Sequence, residues 1–388
     1  MKRLNAAFFI FVQIIILDPH YYIQQKLDSR RAEGLYRQLR RQNQLIDFCS
    51  NDYLGFTRST TLNQMVEHEM QRLAPAANGS AGSRLLAGNT AYAEELEQWI
   101  ASYHSSETAL LFNSGYDANV GLFSSLPQRG DTVIHDELIH ASIIDGTRLS
   151  HANRYSFKHN DLDALEAKLK TAKGHCYVAV ESVYSMDGDL APLQQMVTLV
   201  NQYNASLIVD EAHAIGVFGK GSINQLGLQN EVFARVVTFG KAMGCHGAAV
   251  LGSDLLSQYL INFARSFIYT TAAPLHQLAT IRMAYKLLEQ SGSIVDQVHA
   301  NIALYNSSMA EHLSSTNVSA IQTLPLGSNK KAIEAAAYLQ QNGFDVRPIL
   351  SPTVAAGTER IRVCLHSFNT AEEIQQLTQH INTQLNAC

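Results

Sequence analysis

Short apolar runs recur through the middle of the chain, and most contain β-branched residues. Helix-prone segments such as Ala91–His104 and Asp161–Thr171 separate several of them. A short, continuous apolar run is typical of a strand that is buried on both faces. The predicted strands are Thr108–Phe112, Asp131–Ile134, Tyr177–Glu181, Ser206–Asp210, Val236–Phe239 and Ala248–Leu251. The pattern therefore predicts an α/β fold with a mostly parallel central sheet and helices on both faces.

The pattern of apolar and polar residues changes on either side of the segment that contains the predicted strands. Residues 20–42 are charged and helix-prone, and a long helical stretch is predicted from about Leu275 to Leu313. A smaller α+β region follows, with helices at Lys330–Asn342 and Thr370–Leu385 and a strand at Arg360–Leu365. We therefore expect three parts: an N-terminal extension and helix (1–45), a large domain (46–280) and a small C-terminal α+β domain (281–388).

Composition narrows the class of protein. The chain of 388 residues is 46% hydrophobic and 16% charged, which is typical of a soluble globular protein. Its net charge of -5 gives no basic footprint for nucleic acid, so no nucleic-acid partner is expected. The five cysteines are odd in number and widely spaced, which argues against a disulfide framework or a metal site. They fit a reducing compartment, and we expect a cytoplasmic protein.

The N-terminus carries an apolar segment. Lys2 and Arg3 precede Ala6–Leu17, whose twelve residues are too few to span a bilayer. Asp18 and Pro19 follow without a small-residue cleavage site, which disfavours a signal peptide. We expect an N-terminal extension or an early start codon, and no stable membrane insertion.

Two polar residues stand just past predicted strands, where parallel α/β sheets bind ligands. Asp210 ends one strand, and Lys241 follows the next, between Gly240 and Gly244. A lysine after a strand is usually a solvated surface residue, but flanking glycines let the backbone approach a ligand. Lysine forms a Schiff base with pyridoxal 5'-phosphate (PLP), and an acid keeps the pyridine nitrogen protonated. The pair therefore predicts a PLP site, with the Thr238 hydroxyl placed for the phosphate.

Eight short motifs, in order, resemble those of the α-oxoamine synthases, a family of PLP-dependent enzymes of fold type I. Each motif is weak alone, but eight in order are specific, and the resemblance runs from about Leu27 to the C-terminus. The motifs are Ser50–Gly55, Gly79–Arg84, Asn113–Tyr116, His140–Ser142, Ser185–Asp189, Asp210–His213, Thr238–Lys241 and Pro352–Val354.

The resemblance implies a fold-type-I PLP-dependent transferase and assigns its central residues. Lys241 would bind the cofactor and then remove the Cα proton of an amino acid, and Asp210 would pair with the pyridinium nitrogen. His140 would stack on the ring. His213 would hydrogen-bond the ring oxygen, with Ser185 close by.

The cofactor's phosphate has its own implied ligands. Ser114, Gly115 and Tyr116 precede a predicted helix, whose N-terminus suits an anion. Thr238 would add a hydroxyl. Thr271 resembles a residue that reaches the phosphate of the neighbouring subunit, which implies a homodimer with shared active sites.

Further positions resemble substrate-binding residues of the family. Arg362 would hold the substrate carboxylate by paired hydrogen bonds, with Asn51 assisting. Arg37 would lie near the acyl-CoA entrance, and Thr353 would contact the substrate. Arg360 is expected to be exposed.

The implied reaction is a decarboxylative condensation of an amino acid with an acyl-CoA or acyl-carrier-protein thioester. Within the family the chain most resembles the branch that joins L-alanine to a pimeloyl thioester to make 8-amino-7-oxononanoate for biotin. The stretch Gly247–Gly252 after the lysine favours this branch. The sequence departs from the family at Leu350-Ser351, where an arginine often stands. That leaves open whether the charged end of the acyl chain meets another cation, such as Arg37 or Arg347, or stays in solvent.

Other activities stay open at this point. Within the family they are 2-amino-3-ketobutyrate CoA ligase, 5-aminolevulinate synthase and serine palmitoyltransferase. An aminotransferase could use the same fold, and so could a non-catalytic subunit. The intact Lys241, Asp210, His140 and His213 argue against a subunit without chemistry.

Overall fold

The computed structural model describes residues 18–39, 41, 44–75, 77–312 and 317–386. The apolar N-terminal segment Ala6–Leu17 lies outside the described residues. The chain divides into two compact units, residues 1–44 and 45–388. The predicted boundary at residue 280 stays a prediction.

The first unit contains one described helix, α1 (Pro19–Ala32). Asp18 caps it by accepting a hydrogen bond from the amide of His20 at 2.9 Å, and proline occupies its first turn. The helix is shorter than the predicted stretch of 20–42. It ends before Gly34, whose positive φ of 68° suits a turn after a helix.

The second unit alternates strands and helices through most of its length. Its helices are α2 (Thr60–Arg72), α3 (Ala91–Tyr103), α4 (Gly115–Ser125), α5 (Ala141–Leu149), α6 (Leu162–Leu169), α7 (Leu193–Gln202), α8 (Ser222–Gln225), α9 (Asp254–Phe263), α10 (Arg265–Ile268), α11 (Leu275–Glu289), α12 (Gly292–Ser308), α13 (Asn329–Gln341) and α14 (Ala371–Asn386). Its strands are β1 (Ile46–Asp47), β2 (Thr108–Phe112), β3 (Thr132–Asp136), β4 (Asn153–Phe157), β5 (Cys176–Glu181), β6 (Ser206–Asp210), β7 (Ala234–Thr238), β8 (Ala248–Gly252), β9 (Ile321–Pro325), β10 (Phe344–Asp345), β11 (Arg347–Ile349) and β12 (Arg360–Cys364).

Seven strands form the central sheet, in the order β2-β8-β7-β6-β5-β3-β4. β8 runs antiparallel to β2 and β7, and the other neighbours are parallel, which confirms the predicted mostly parallel sheet. Successive residues of β7 enter different cores: Val236 joins the cluster that contains Leu122 of α4, and Val237 joins the one that contains Ile100 of α3. The sheet is therefore covered on both faces, as continuous apolar strands require.

The C-terminal part builds a second, smaller sheet, in which β12 lies between β11 and β9 and pairs antiparallel with both. The predicted long helix from Leu275 is two helices, α11 and α12, which Gln290 and Ser291 separate. Among the helices in the described ranges, none is long and apolar enough to span a membrane.

Candidate active site

The carboxyl ends of β5, β6 and β7 meet at one edge of the central sheet because the three strands are adjacent and parallel. Glu181 and Asp210 are the last residues of β5 and β6 and are register partners, and Lys241 follows β7 by three residues. A cavity opens there. It is lined by Ser114, Gly115, Tyr116, Asn119, His140, Glu181, Asp210, Ala212, Thr238, Gly240, Lys241, His246 and Gly247. Seven predicted cofactor residues thus come together from separate elements.

A tight loop between β7 and β8 presents Lys241. Phe239 donates its amide to the carbonyl of Gly247 (2.9 Å), and Cys245 donates to that of Phe239 (2.7 Å). Gly244 has a φ of 63°, and a Cβ there would lie 2.5 Å from the amide nitrogen of Thr57. Glycine is therefore required for the loop to close against its neighbour.

The Lys241 side chain is half-buried at the cavity and lies near charged groups. Burial lowers its pKa, while the nearby carboxyl groups of Asp210 and Glu181 oppose that shift. A lysine with a lowered pKa has a larger fraction of neutral, nucleophilic amine. The arrangement suits covalent attachment of an aldehyde cofactor.

The Asp210 carboxylate is held from two sides. Asn119 Nδ2 donates to its Oδ2 at 2.8 Å, and the amide of Ala212 donates to its Oδ1 at 2.9 Å. The Asn119 amide also donates to Ser142 Oγ at 3.0 Å, and that hydroxyl lies 2.7 Å from Nδ1 of His140. One network thus orients both the acid and the imidazole.

Two members of this network were absent from the predicted site residues. Asn119 lies one turn into α4, and the only available signal was that the helix starts at the predicted phosphate site. Ser142 closes the His140–Ser142 motif, so the motif itself carried the signal. A polar side chain in an otherwise apolar helix of a buried layer often has a hydrogen-bonding role.

Glu181 was also absent from the predicted site residues. It is 2% exposed, and burial raises its pKa to about 8, with the nearby Asp210 charge adding to the shift. Its Oε2 accepts from the amide of Ser185 at 3.2 Å, and its Oε1 has no hydrogen-bond partner among the described residues. Glu181 therefore holds a proton to higher pH than an exposed carboxyl group does, and it offers a polar atom beside Asp210.

The opposite wall of the cavity is the N-terminus of α4. Ser114 caps the helix through a 3.0 Å hydrogen bond from the amide of Asp117. A Cβ on Gly115 would lie 2.5 Å from Cγ2 of Thr238, so only glycine permits this approach. The Thr238 hydroxyl is buried and has no partner in the described part of the chain. A helix N-terminus beside an orphan hydroxyl fits a phosphate group.

His140 and His213 are the two histidines predicted to contact the cofactor. His140 caps α5 and lines the cavity, and removal from bulk water lowers its pKa. His213 is buried, and its Nδ1 lies 2.8 Å from the hydroxyl of Tyr53. Both rings are therefore suited to neutral contacts with a ligand.

Arg362 and Asn51 form a polar pair in the same unit. Arg362 Nη2 donates to Asn51 Oδ1 at 3.0 Å, and its Nε donates to the carbonyl of Ser185 at 2.9 Å. The two predicted carboxylate-binding residues and Ser185 therefore lie side by side.

Arg360 was expected to be exposed, and that expectation is wrong. Its exposure is only 8%, and its guanidinium pairs with the carboxylate of Asp187. Side chains of a strand alternate between faces, so positions 360 and 362 share a face rather than opposing each other.

Two further predicted residues, Thr271 and Thr353, are not among the residues that line the cavity. Thr271 is exposed and lines a different cavity, and Thr353 is exposed in a turn. Arg37 is exposed within the first unit. Their roles stay predictions. Arg347, a candidate for the acyl-chain end, forms a two-bond ion pair with Asp345.

Known proteins match this chain over nearly its whole length. The family model for aminotransferase class I and II matches residues 43–381. An 8-amino-7-oxononanoate synthase from Emericella nidulans is 45% identical over 367 residues, which cover 88% of this chain and 89% of that protein. Another from Citrifermentans bemidjiense is 36% identical over 378 residues, covering 91% and 95%.

Solved structures of related proteins also superpose on most of this chain. A serine palmitoyltransferase from S. paucimobilis with a bound PLP–myriocin aldimine superposes with a TM-score of 0.85 at 25% identity, covering 94% of this chain and 97% of that one. The 8-amino-7-oxononanoate synthase from Francisella tularensis has a TM-score of 0.77 at 30% identity, covering 88% and 98%.

The fold and the site define a PLP-dependent transferase of fold type I. The chain belongs to the aminotransferase class I and II family, and within it to the α-oxoamine synthases, beside relatives named 8-amino-7-oxononanoate synthase. It is an enzyme, and PLP is its cofactor.

Proposed function

We propose that the enzyme condenses L-alanine with a pimeloyl thioester, of coenzyme A or an acyl carrier protein, to give 8-amino-7-oxononanoate. The Cα proton of alanine is removed, Cα attacks the thioester carbonyl, the thiol leaves, carbon dioxide is lost and a proton returns to Cα. The observation that carries the proposal is the convergence of Lys241, Asp210 and His140 on one cavity. Relatives named for this activity, at up to 45% identity, support the choice of substrates.

We assign separate tasks to Asp210, Lys241 and Arg362. Bound PLP supplies an electron sink for the developing charge on Cα. Asp210, fixed by Asn119 and Ala212, keeps the ring nitrogen protonated. Lys241, whose pKa burial lowers, moves the proton at Cα. Arg362 would hold the alanine carboxylate and so fix the orientation of the amino acid.

The phosphate is held by the α4 N-terminus and the hydroxyl of Thr238. We assign the ring contacts to His140, His213 and Ser185, and the carboxylate contact to Arg362 with Asn51. Arg37 and Thr353 are assigned to the acyl substrate. The cytoplasmic location is inferred from the cysteines, of which the four in the described ranges are free.

Lys241→Ala tests the attachment site. The variant should lose the borohydride-reducible link to PLP, because alanine has no amine, and its turnover should fall to background. Mass mapping of the reduced wild-type protein should place the link on Lys241. Lys220→Ala, at a lysine on a surface turn, is the control and should keep the link. A reduced adduct on another lysine would show that the assignment is wrong.

The substrate pair is tested by free thiol release from a panel of substrates. Pimeloyl-CoA, acetyl-CoA and palmitoyl-CoA are each combined with alanine, glycine and serine. Alanine with pimeloyl-CoA should have the highest kcat/KM. If glycine with acetyl-CoA is the best pair, the enzyme is a ketobutyrate ligase, and if serine with palmitoyl-CoA is best, it makes a sphingolipid precursor.

A further inference from the structure

A continuous line of hydrogen bonds joins the carboxylate-binding side of the site to the cofactor side. Arg362 Nη2 donates to Asn51 Oδ1 at 3.0 Å. The Tyr53 hydroxyl lies 3.1 Å from the same Oδ1 and 2.8 Å from Nδ1 of His213. Tyr53 is 1% exposed and His213 is 5% exposed, so bulk water does not compete for these bonds. We refer to Arg362, Asn51, Tyr53 and His213 as the relay.

The direction of each bond follows from counting protons. A guanidinium can only donate, so the Asn51 atom that faces Arg362 must be the amide oxygen. The Tyr53 hydroxyl faces that same oxygen and must donate its only proton to it. Toward His213, the Tyr53 oxygen can then only accept. Nδ1 of His213 must therefore carry a hydrogen.

The charge state of each ring supports this count. Burial raises the pKa of Tyr53 far above its usual value, against the opposing effect of Arg362, so the phenol keeps its proton. Burial and the positive charges of Lys241 and Arg362 lower the pKa of His213 well below its usual value. The imidazole is neutral and has one hydrogen, and with that hydrogen on Nδ1 the other nitrogen, Nε2, is an acceptor.

We propose that Tyr53 is a positioning residue, which holds His213 as the Nδ1–H tautomer and couples Arg362 to the cofactor's ring oxygen. The inference deepens the proposed function and rests on the roles given there to Arg362 and His213. With Nε2 as an acceptor, His213 favours a protonated ring oxygen before the amino acid binds.

Binding of the amino acid should reverse this preference. A substrate carboxylate on Arg362 competes with Asn51 Oδ1 for the guanidinium. The Asn51 amide is then no longer held with its oxygen toward Tyr53, and the Tyr53 proton becomes available to His213. His213 can then carry its hydrogen on Nε2 and donate to the ring oxygen. Substrate binding at one end of the relay thus changes the hydrogen bond offered at the other.

The experiment uses the absorption spectrum of the PLP-loaded enzyme, because protonation at the ring oxygen changes the ratio of its two long-wavelength bands. The variants are Tyr53→Phe, Arg362→Lys and the double variant. Tyr305→Phe is the matched control, because Tyr305 is 0% exposed and its hydroxyl has no partner among the described residues. L-Alanine is titrated into each protein, which gives its Kd from the same spectra.

Tyr53→Phe should change the band ratio by at least about twofold and weaken L-alanine binding by about fivefold, as expected for one lost hydrogen bond. Arg362→Lys should change the ratio in the wild-type background but not in the Tyr53→Phe background. Tyr305→Phe should match wild type in both measurements.

Two results would overturn the relay. One is a Tyr53→Phe spectrum and alanine Kd that match those of Tyr305→Phe. The other is an equal effect of Arg362→Lys in both backgrounds, which would show that Arg362 acts on the ring oxygen without Tyr53. A wild-type protein without PLP on Lys241 would instead refute the proposed function, and the relay with it. That outcome is visible before any variant is made.

Discussion

The role assigned to Asp210 depends on the negative charge of its carboxylate rather than on the shape of the side chain. Two donors, from Asn119 and Ala212, fix it in the cavity. Asp210→Asn keeps the size but removes the charge, and an amide does not hold a proton on the ring nitrogen.

We therefore expect Asp210→Asn to bind PLP but to exchange the Cα proton of alanine more than about tenfold more slowly, because the electron sink is weaker. Deuterium exchange at Cα, followed by NMR, measures this directly. Asp163→Asn, at an exposed position of α6, is the control. Exchange within tenfold of wild type would argue against the assigned role.

Glu181 gives a prediction about pH. Its pKa rises from 4.5 in the unfolded chain to about 8 in the folded chain, mainly through burial. Between these values the folded chain holds a proton that the unfolded chain releases, so this group makes the protein less stable as pH rises. Glu181→Gln has nothing to ionise and removes that slope.

In PLP-free protein, where Lys241 keeps its free amine, the Tm of Glu181→Gln should rise relative to wild type between pH 5 and pH 8. Thermal unfolding at several pH values measures the difference, with the exposed Glu67→Gln as control. A Tm difference that does not vary with pH would show that Glu181 is ionised throughout.

At the scale of residues, the structure brings together predicted side chains that stand inside motifs near strand ends, and their roles stay predictions. Lys241, Asp210 and His140 are examples, since strand direction alone brings them to one edge. Sequence reasoning missed Asn119, because nothing in a helix sequence shows which layer of the molecule its polar residue faces. It misjudged Arg360, whose partner Asp187 is distant in sequence.

At the scale of elements, the segment Ser185–Asp189 is fixed to the central sheet by a histidine. His159 Nδ1 lies 2.9 Å from Asp136 Oδ1, and its Nε2 lies 2.6 Å from Asp189 Oδ2. The imidazole and the Tyr184 ring are nearly perpendicular, with centroids 4.4 Å apart. Glu137 accepts a hydrogen bond from the His159 backbone amide at 3.1 Å.

The charge of His159 determines the pH range in which its hydrogen bonds stabilise the segment Ser185–Asp189. Burial lowers the pKa of His159, but hydrogen bonds to Asp136 and Asp189 outweigh burial and raise it to about 9, above the 6.5 of the unfolded chain. The stabilisation is therefore complete below about pH 6.5 and is lost as pH rises through 9.

His159→Gln should lower the free energy of unfolding at pH 7 by about 1.5–3 kcal/mol, the range for hydrogen bonds to charged groups. The difference should shrink above pH 9, where the wild-type histidine is neutral too. Urea unfolding at both pH values measures it, with His151→Gln at an exposed position as control. An equal loss at both pH values would mean that packing, not charge, matters.

Strands and helices were predicted where the sequence shows a clear apolar pattern and were missed where it does not. The buried strands β5, β6 and β7 were predicted because continuous apolar runs are visible in the sequence. The edge strand β4 was not, since four of its five residues are exposed and its sequence has no apolar run. The break between α11 and α12 was missed because Ser291 is compatible with a helix; the chain turns there, and its hydroxyl bonds the carbonyl of Leu287 at 2.6 Å.

At the scale of the whole molecule, the surface around Thr271 suggests a second copy of the chain. Ala272 donates its amide to the carbonyl of Gly82 at 2.9 Å, so the segment after α10 packs on the segment before α3. Both segments expose large apolar side chains: Leu86 is 86% exposed and Tyr269 is 72% exposed. Exposed apolar residues beside an unassigned cavity are typical of a protein interface.

The shared-site dimer can be tested with two defective chains. Lys241→Ala removes the attachment point of the cofactor, and Thr271→Ala removes the hydroxyl assigned to the partner's phosphate. In a mixed dimer one active site collects both defects, and the other has Lys241 from one chain and Thr271 from its partner. After mixing and reassociation about half of the dimers are mixed, so about one quarter of wild-type activity should return.

If each site were built from one chain, the mixture would show only the mean of the two parent activities. Mixing Lys241→Ala with Asp210→Asn is the control, because both defects belong to one chain's site and no activity should return. An active monomer at assay concentration would also contradict the dimer, because Thr271 lies outside the cavity of its own chain.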